Sequence, residues 1–302
     1  MALGERDPHS GHMTTGHEWN GIKELNTPVP RAVWFFLIVT VIFSIGYWVL
    51  MPAWPLGDSY TRGLLGSDQK EIVARRVEAA AEERAAWAQR IAAMGYAEVR
   101  ADPALMAHVR EDGHRLFGDN CAACHGMDAT GNSGFPNLVD GDWLWGGSPD
   151  AIARTIAVGV NSPVSKDTRV SQMMAFGKDG LLTGEEVMAA ADYVKSLSDP
   201  GWAKGKAASV ARGKGVFAAN CVACHGPLGK GSQELGAPDL TDRNWIYGGD
   251  IDAIHATIEN GRQGEMPAWE HRLSPADRKI LVLYLLDRGE ALKAGAAKGA
   301  PR

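Results

Sequence analysis

The chain has 302 residues, 45% hydrophobic and 22% charged, which is the composition of a globular protein about two domains long and not of a disordered one. Its formal net charge is −5, which argues against a nucleic-acid-binding protein because those proteins usually carry basic patches. Only four cysteines occur, too few for a fold held together by disulfide bonds.

The first predicted element is a membrane-spanning helix over residues 32–51, preceded by an N-terminal segment, 1–31. The span carries no charge, and a helix of its length crosses about 30 Å, the thickness of the hydrocarbon core of a bilayer. Trp34 and Trp48 lie near its two ends, as aromatic residues do at membrane interfaces. A cleaved signal peptide would have a shorter apolar core and a small-residue cleavage site, so we expect an uncleaved single-pass anchor.

Residues 52–105 follow the predicted span. Between residues 68 and 100 they are rich in alanine, glutamate and arginine, and their apolar residues are spaced irregularly. This pattern favours a helical stalk or linker, and a helix packed on the first domain is the alternative.

The rest of the chain contains one sequence unit twice. Residues 113–126 (GHRLFGDNCAACHG) reappear one hundred positions later as 213–226 (GKGVFAANCVACHG), and the match continues through 136–159 and 238–261. Small shifts in offset are of the kind that loop insertions produce. The repetition predicts two homologous domains, 106–198 and 207–290, with a linker at 199–206 and a frayed tail at 291–302.

Each repeat carries the motif Cys-x-x-Cys-His. Two thiols at this spacing can add to the two vinyl groups of one haem while the adjacent histidine ligates the iron, so the motif is the attachment signal for haem c. A zinc site would need further closely spaced ligands, and a thioredoxin-like pair would need a βαβ setting. We therefore predict two covalently bound haems c, attached through Cys121, Cys124, Cys221 and Cys224, with His125 and His225 as iron ligands.

The sixth iron ligand is expected to be methionine, because His–Met ligation suits a low-spin, electron-transferring haem. Met266 is the one methionine that follows the motif of the second repeat. Alignment of its segment MPAW with the segment MMAF of the first repeat favours Met173, and Met174 is the alternative. On this reading each repeat supplies both ligands of its own haem.

Other ligand candidates are less favoured. Met127 is two residues from His125 and cannot reach the opposite face of the same haem. Met188 lies on the apolar side of a predicted helix, where we expect it to pack in the core. In the second repeat His255 and His271 are rivals, although such histidines are more often surface residues.

Both repeats resemble class I-type cytochrome c, in which a glycine and an aromatic residue of the first helix pack on an aromatic residue of the last. The resemblance implies a mainly α fold, with the transmembrane helix followed by two tandem cytochrome c domains. It implies that Gly113 and Phe117 meet Tyr193, and that the equivalent residues of the second repeat meet Tyr284. Candidates either for the haem pocket and its propionates or for plain aromatic core are Trp143, Trp145, Trp245 and Tyr247.

Residues 17–31 (HEWNGIKELNTPVPR), just before the span, resemble the N-terminal signature of the dihaem subunit of cbb3-type cytochrome c oxidases, the CcoP/FixP family. The resemblance implies an electron-transfer subunit of a proton-pumping terminal oxidase in the bacterial inner membrane, with a cytoplasmic N-terminus and periplasmic haem domains. Its implied partners are the catalytic haem–copper subunit, a membrane monohaem cytochrome c subunit, a soluble or membrane-bound donor cytochrome c and membrane lipid.

The sequence has no cluster of histidines in the span for a b haem and copper, and no spare cysteines for a dinuclear copper centre. We therefore expect the chain to relay single electrons while dioxygen is reduced in another subunit. A dihaem subunit of another membrane complex, such as an alcohol dehydrogenase or a cytochrome c reductase, is the main alternative, and a dihaem peroxidase is less favoured. Residues 106–200 carry a net charge of −6 and residues 201–302 one of +3, so the acidic half could attract a basic donor or simply serve solubility.

Overall fold

The computed structural model describes residues 4–299, which are mainly α-helical and contain one small β-hairpin. The chain divides into two compact units, one ending at Glu83 and the other beginning at Arg84. The helix α2 (Gln69–Ala93) runs across this boundary.

The first unit contains a β-hairpin that the sequence analysis did not predict. The antiparallel strands β1 (Thr14–Trp19) and β2 (Ile22–Leu25) are joined by Asn20 and Gly21, with φ of 51° and 85°. Positive φ at both central residues is typical of a type I′ hairpin turn, for which Asn-Gly is the strongest short sequence signal. The hairpin was therefore readable from these two residues.

A long apolar helix, α1 (Arg31–Leu50), follows the hairpin and differs by one residue at each end from the predicted span. It begins directly after Pro30, whose fixed φ and missing N–H are tolerated at a helix start. None of its side chains is buried within the protein, although the helix is long and apolar enough to cross a membrane. Exposed apolar side chains along the whole helix suggest that it anchors the chain in lipid.

The end of the predicted stalk belongs to the core of the second unit. Ile91 near the end of α2 and Val99 in α3 (Tyr96–Ala101) are fully buried. Trp87 stacks on His108 with ring centroids 4.5 Å apart. The last part of the segment predicted as a stalk is therefore packed against the core in this structure.

Eight helices build the two repeats. In the first repeat they are α4 (Pro103–Asn120), α5 (Ala122–His125), α6 (Pro149–Val158) and α7 (Gly184–Ser198). In the second they are α8 (Ala207–Asn220), α9 (Val222–His225), α10 (Ile251–Asn260) and α11 (Pro275–Gly299). Side-chain caps fix several of these starts, such as Asp102 before α4 and Thr183 before α7. The predicted tail is helical to Gly299 and not frayed there, and residues 300–302 lie outside the described part of the chain.

The two hydrophobic cores do not follow the two repeats. The first core joins α4 and α6 to α11, and the second joins α8 and α10 to α7. Phe117 packs on Tyr284 with ring centroids 5.9 Å apart, and Phe217 packs on Tyr193 at 5.2 Å. The predicted contacts within each repeat are therefore wrong. The predicted phenylalanine and tyrosine residues do pack together, but each last helix packs on the first helix of the other repeat.

The chain crosses between the two cores directly after α6 and after α10. Val160 exchanges two backbone hydrogen bonds with Met266, both 2.9 Å long. Arg262 exchanges two with Met173, at 2.8 and 3.0 Å. Because these pairings join one repeat to the other, the methionine loop and the last helix of each repeat are delivered to the core of its neighbour.

A glycine in each first helix permits the close approach of the exchanged last helix. A Cβ atom at Gly113 would lie 2.6 Å from Cβ of Tyr284, and one at Gly213 would overlap the carbonyl oxygen of Ala189. Only glycine leaves room for backbones this close.

We expect Gly213→Ala to lower the free energy of unfolding by about 1–3 kcal/mol, because the new methyl group overlaps backbone atoms that cannot rotate away. Gly215 lies in the same helix with nothing within 4 Å of the corresponding position. Gly215→Ala is the matched control and should stabilise the protein by up to about 1 kcal/mol. Thermal unfolding followed by circular dichroism measures both, and equal effects would contradict the packing described.

A double-mutant cycle tests the exchange of last helices. Replacing Phe117 and Tyr284 by leucine should give a coupling energy of about 0.5–1.5 kcal/mol, because the two rings are in contact. The pair Phe117 and Tyr193 should instead give additive effects, since these residues lie in different cores. The opposite pattern would mean that each repeat closes on its own last helix.

Candidate haem sites

Each attachment motif forms a single helical turn at the end of a longer helix. In the first repeat the backbone N–H of His125 donates to the carbonyl of Cys121 at 2.9 Å, and Gly126, with φ of 75°, then turns the chain away. The second repeat has the same geometry, with a corresponding bond of 3.0 Å. Positions i, i+3 and i+4 share one face of a helix, so this turn presents both thiols and the imidazole on one side.

The hydrogen bonds of the two motif histidines leave one ring nitrogen of each available to a metal. Nδ1 of His125 lies 3.0 Å from the carbonyl oxygen of Pro136, and Nδ1 of His225 lies 3.1 Å from that of Pro238. A carbonyl only accepts, so Nδ1 carries the proton and Nε2 keeps its lone pair. Burial also lowers the pKa of both histidines and keeps them neutral, as a metal ligand must be.

The two cysteines of each motif lie in different environments. All four thiols are free; Cys121 and Cys221 pack against the two cores, while Cys124 and Cys224 are exposed. Burial, helped by the neighbouring cysteine, raises the pKa of Cys121 and of Cys221 to about 11. One inner and one outer thiol suit a flat group that enters the core with one edge at the surface, so these residues fit haem c.

A zinc site finds no support in the described residues. Between residues 4 and 299 no group of three or more histidine, cysteine, aspartate or glutamate side chains could hold a metal ion. The two motif histidines therefore stand without the additional protein ligands that structural zinc requires.

The structure packs each predicted methionine against the core that the motif of the other repeat lines. Met266 packs against the first core, which contains Phe117 and is lined by Cys121. Met173 packs against the second core, which contains Phe217 and is lined by Cys221. The expectation that each repeat supplies both ligands of its own haem therefore conflicts with this packing. The physical reason is the crossing after α6 and α10, which carries each methionine loop into the neighbouring core.

The remaining candidates lie elsewhere. Met174 is 51% exposed and Met127 is 55% exposed. Met188 is 41% exposed, so the prediction that it packs in the core is wrong; its neighbour Val187 occupies the buried side of α7 instead. His271 is exposed beside Glu270. His255 is half-buried on α10.

The four aromatic residues singled out by sequence divide into two kinds. Trp143 packs against the first core and Trp245 against the second, as core residues do. Trp145 instead lies under the guanidinium of Arg169, and Tyr247 lies under that of Arg262. These cation–π pairs were missed by the sequence analysis.

A cavity of about 620 Å³ lies between the loops that follow the two motifs, and four of its lining residues are aspartates. Burial, aided by the neighbouring carboxylates, raises the pKa of Asp140 and of Asp242. The two residues occupy matching positions of the repeats, which is a signal that the sequence contained. Sequence alone did not place both aspartates in one cavity, because that requires the two loops to face each other.

Comparisons with known proteins match nearly the whole chain. Residues 11–58 match the family model described as the N-terminal domain of cytochrome oxidase-cbb3, FixP. Residues 110–198 match the cytochrome c model, and residues 208–285 match that of cytochrome C oxidase, cbb3-type, subunit III.

Among the similar curated proteins is the cbb3-type cytochrome c oxidase subunit FixP of Bradyrhizobium diazoefficiens, 49% identical over 94% of this chain and 97% of the relative. The subunit CcoP of Azospirillum brasilense is 42% identical over 96% of this chain and 99% of the relative. FixP of Rhizobium meliloti is 41% identical over 94% and 96%, respectively.

Proposed function

Since the chain belongs to the CcoP/FixP family of cbb3-type cytochrome c oxidase subunits, we propose that it carries single electrons from a donor cytochrome c to the catalytic subunit of such an oxidase. The family and the two cytochrome c domains make it an electron-transfer subunit with two haems c. One observation carries the proposal: two complete attachment motifs, each with a correctly oriented histidine and a methionine packed against the same core.

The iron ligands that we propose are crossed between the repeats. The first haem is attached through Cys121 and Cys124 and ligated by His125 and Met266. The second haem is attached through Cys221 and Cys224 and ligated by His225 and Met173. Support comes from the half-buried position of both methionines, whereas Met174 is exposed.

A bound haem c supplies a one-electron couple, and the protein holds it in place and tunes it. The carbonyls of Pro136 and Pro238 fix the tautomer and the orientation of the two histidines. The apolar cores exclude water, and methionine ligation raises the reduction potential. Because each site takes elements from both repeats, the exchanged helices also fix the separation and mutual orientation of the two sites.

We further propose the placement and partners that the family implies. The helix α1 crosses the inner membrane of a bacterium, with residues 1–30 on the cytoplasmic side and the cytochrome c domains in the periplasm. The absence of any buried side chain in α1 supports a lipid environment. The partners are the catalytic haem–copper subunit, a membrane monohaem cytochrome c subunit and a soluble or membrane-bound donor cytochrome c.

The crossed ligation is tested in variants that keep one haem. With Cys221 and Cys224 replaced by alanine, only the first attachment motif remains. We expect Met266→Leu then to abolish the methionine–iron charge-transfer band, because Met266 packs at that site. Met173→Leu should leave the band intact.

Met174→Leu is the matched control and should change neither haem, since this side chain is exposed. Loss of the band with Met173→Leu in the same background would show that each repeat ligates its own haem. The reciprocal experiment removes Cys121 and Cys124 and should reverse the roles of the two methionines.

The electron-transfer role is tested on the complex purified from solubilised membranes. We expect two c haems per copy of this chain, which a pyridine haemochrome assay measures, and co-purification with a multi-span haem–copper subunit. Reduced donor cytochrome c should be oxidised by the intact complex but not by a complex lacking this chain. Co-purification with a quinoprotein dehydrogenase would instead favour another membrane complex.

A further inference from the structure

Two half-buried arginines occupy matching places in the two sites, although they do not occupy matching positions in the sequence. Arg262 directly follows Gly261, and the residue at the corresponding position of the first repeat is Val160. Arg169 belongs to the longer loop of the first repeat, which folds back beside Val160. The backbone N–H of Arg169 donates to the carbonyl of Gly159 at 3.1 Å. The first repeat therefore also has an arginine beside this position, although the equivalent residue in its sequence is valine.

The side chains of the two arginines make matching contacts. The guanidinium of Arg169 lies 4.9 Å from the ring centroid of Trp145, and its Nε donates to Oγ1 of Thr155 at 2.9 Å. For Arg262 the distance to the ring of Tyr247 is 4.4 Å, and the bond from Nε to the threonine of α10 is 3.0 Å. Both side chains are therefore held in one orientation by an aromatic ring and a hydroxyl group.

Neither arginine has a carboxylate partner among the residues that the structure describes. The side-chain hydrogen bonds of Arg169 go to Thr155 and to the carbonyl of Ala151, and those of Arg262 go to Thr257. Other arginines of the same unit do form ion pairs; Arg84, for example, bridges two aspartates. Burial of a charge is costly without an opposite charge, and burial together with the nearby charge of Arg154 lowers the pKa of Arg169. The pattern calls for an anion that is not part of the polypeptide.

Both arginines also lie beside the methionines of the two sites. Arg262 is paired through its backbone with Met173, and Arg169 lies next to Val160, which is paired with Met266. We propose that Arg169 binds a propionate carboxylate of the first haem and that Arg262 binds one of the second. This inference rests on the ligation proposed above. A guanidinium suits the task because its planar set of donors matches a carboxylate.

The proposed contact has an electrostatic consequence. An ionised propionate favours ferric over ferrous iron, and a paired guanidinium offsets that preference. Removing the guanidinium should therefore lower the reduction potential of one haem only. The unpaired carboxylate should also take up a proton on reduction, so that the potential falls as the pH rises.

The test uses the full-length protein with both haems, titrated potentiometrically at several pH values. We expect Arg169→Gln to reduce the equilibrium constant for reduction of the first haem about tenfold, which corresponds to about 59 mV for one electron. Arg262→Gln should do the same to the second haem alone. The lysine variants should retain a potential close to that of the wild type, because the charge remains.

Arg154→Gln is the matched control, because Arg154 is exposed on α6 and its charge acts on Arg169; this variant removes a nearby positive charge without removing the proposed contact. An equal shift in this variant, or unchanged potentials in Arg169→Gln and Arg262→Gln with methionine ligation intact, would overturn the inference. If a glutamine variant loses its haem, the corresponding lysine variant decides between a charge contact and a packing role. Retention of the haem at a normal potential in the lysine variant supports the propionate contact. Loss of the haem in the lysine variant shows that the arginine serves packing only. Failure of the wild type to carry two haems would instead contradict the proposed function.

Discussion

The close packing of each first helix on the last helix of the other repeat is the contact on which the rest of this structure depends. Gly113 and Gly213 remove the side chain at the points of closest approach, and the rings of Tyr284 and Tyr193 fill the space beside them. Glycine in a helix is unfavourable by roughly 0.5–1 kcal/mol relative to alanine, so its use here is offset by tertiary packing. Once the last helices are exchanged, the methionine loops that precede them follow, and each core becomes a composite of both repeats.

The composite cores give each proposed haem site its chemical character. Burial lowers the pKa of each motif histidine, and a backbone carbonyl accepts the hydrogen of Nδ1 and leaves Nε2 free. The approaching loop packs a methionine of the other repeat against the same core. Beside that loop a guanidinium held on an aromatic ring lacks a carboxylate partner among the described residues. The loops that follow the two motifs line a cavity with two aspartates, Asp140 and Asp242, whose pKa is raised by burial.

This arrangement suits a relay subunit. An electron carrier has no bond to make or break, so the protein contributes separation, orientation and potential. Because each last helix packs in the core of the other repeat, the two domains are joined through their cores and not through the linker alone. This packing fixes their separation and orientation. The apolar helix α1 suggests that the chain is anchored in a membrane.

Much of this protein was readable from local sequence. The spacing Cys-x-x-Cys-His specifies haem c because the chemistry is contained within five residues, and an uncharged run of 20 residues specifies a membrane-length helix for the same reason. The identity of Met173 and Met266 as the favoured methionines, and of Tyr193 and Tyr284 as the packing aromatics, also came from the repeat. The residues that these side chains pack against could not be read from the repeat. Two homologous repeats present nearly equivalent surfaces, so a last helix can pack on either first helix, and no local pattern distinguishes the two outcomes. The choice is decided where the chain crosses after Gly159 and Gly261, by backbone pairing between segments about one hundred residues apart. The same crossing brings Arg169 to a place that its position in the repeat does not indicate, and only the tertiary structure could show it.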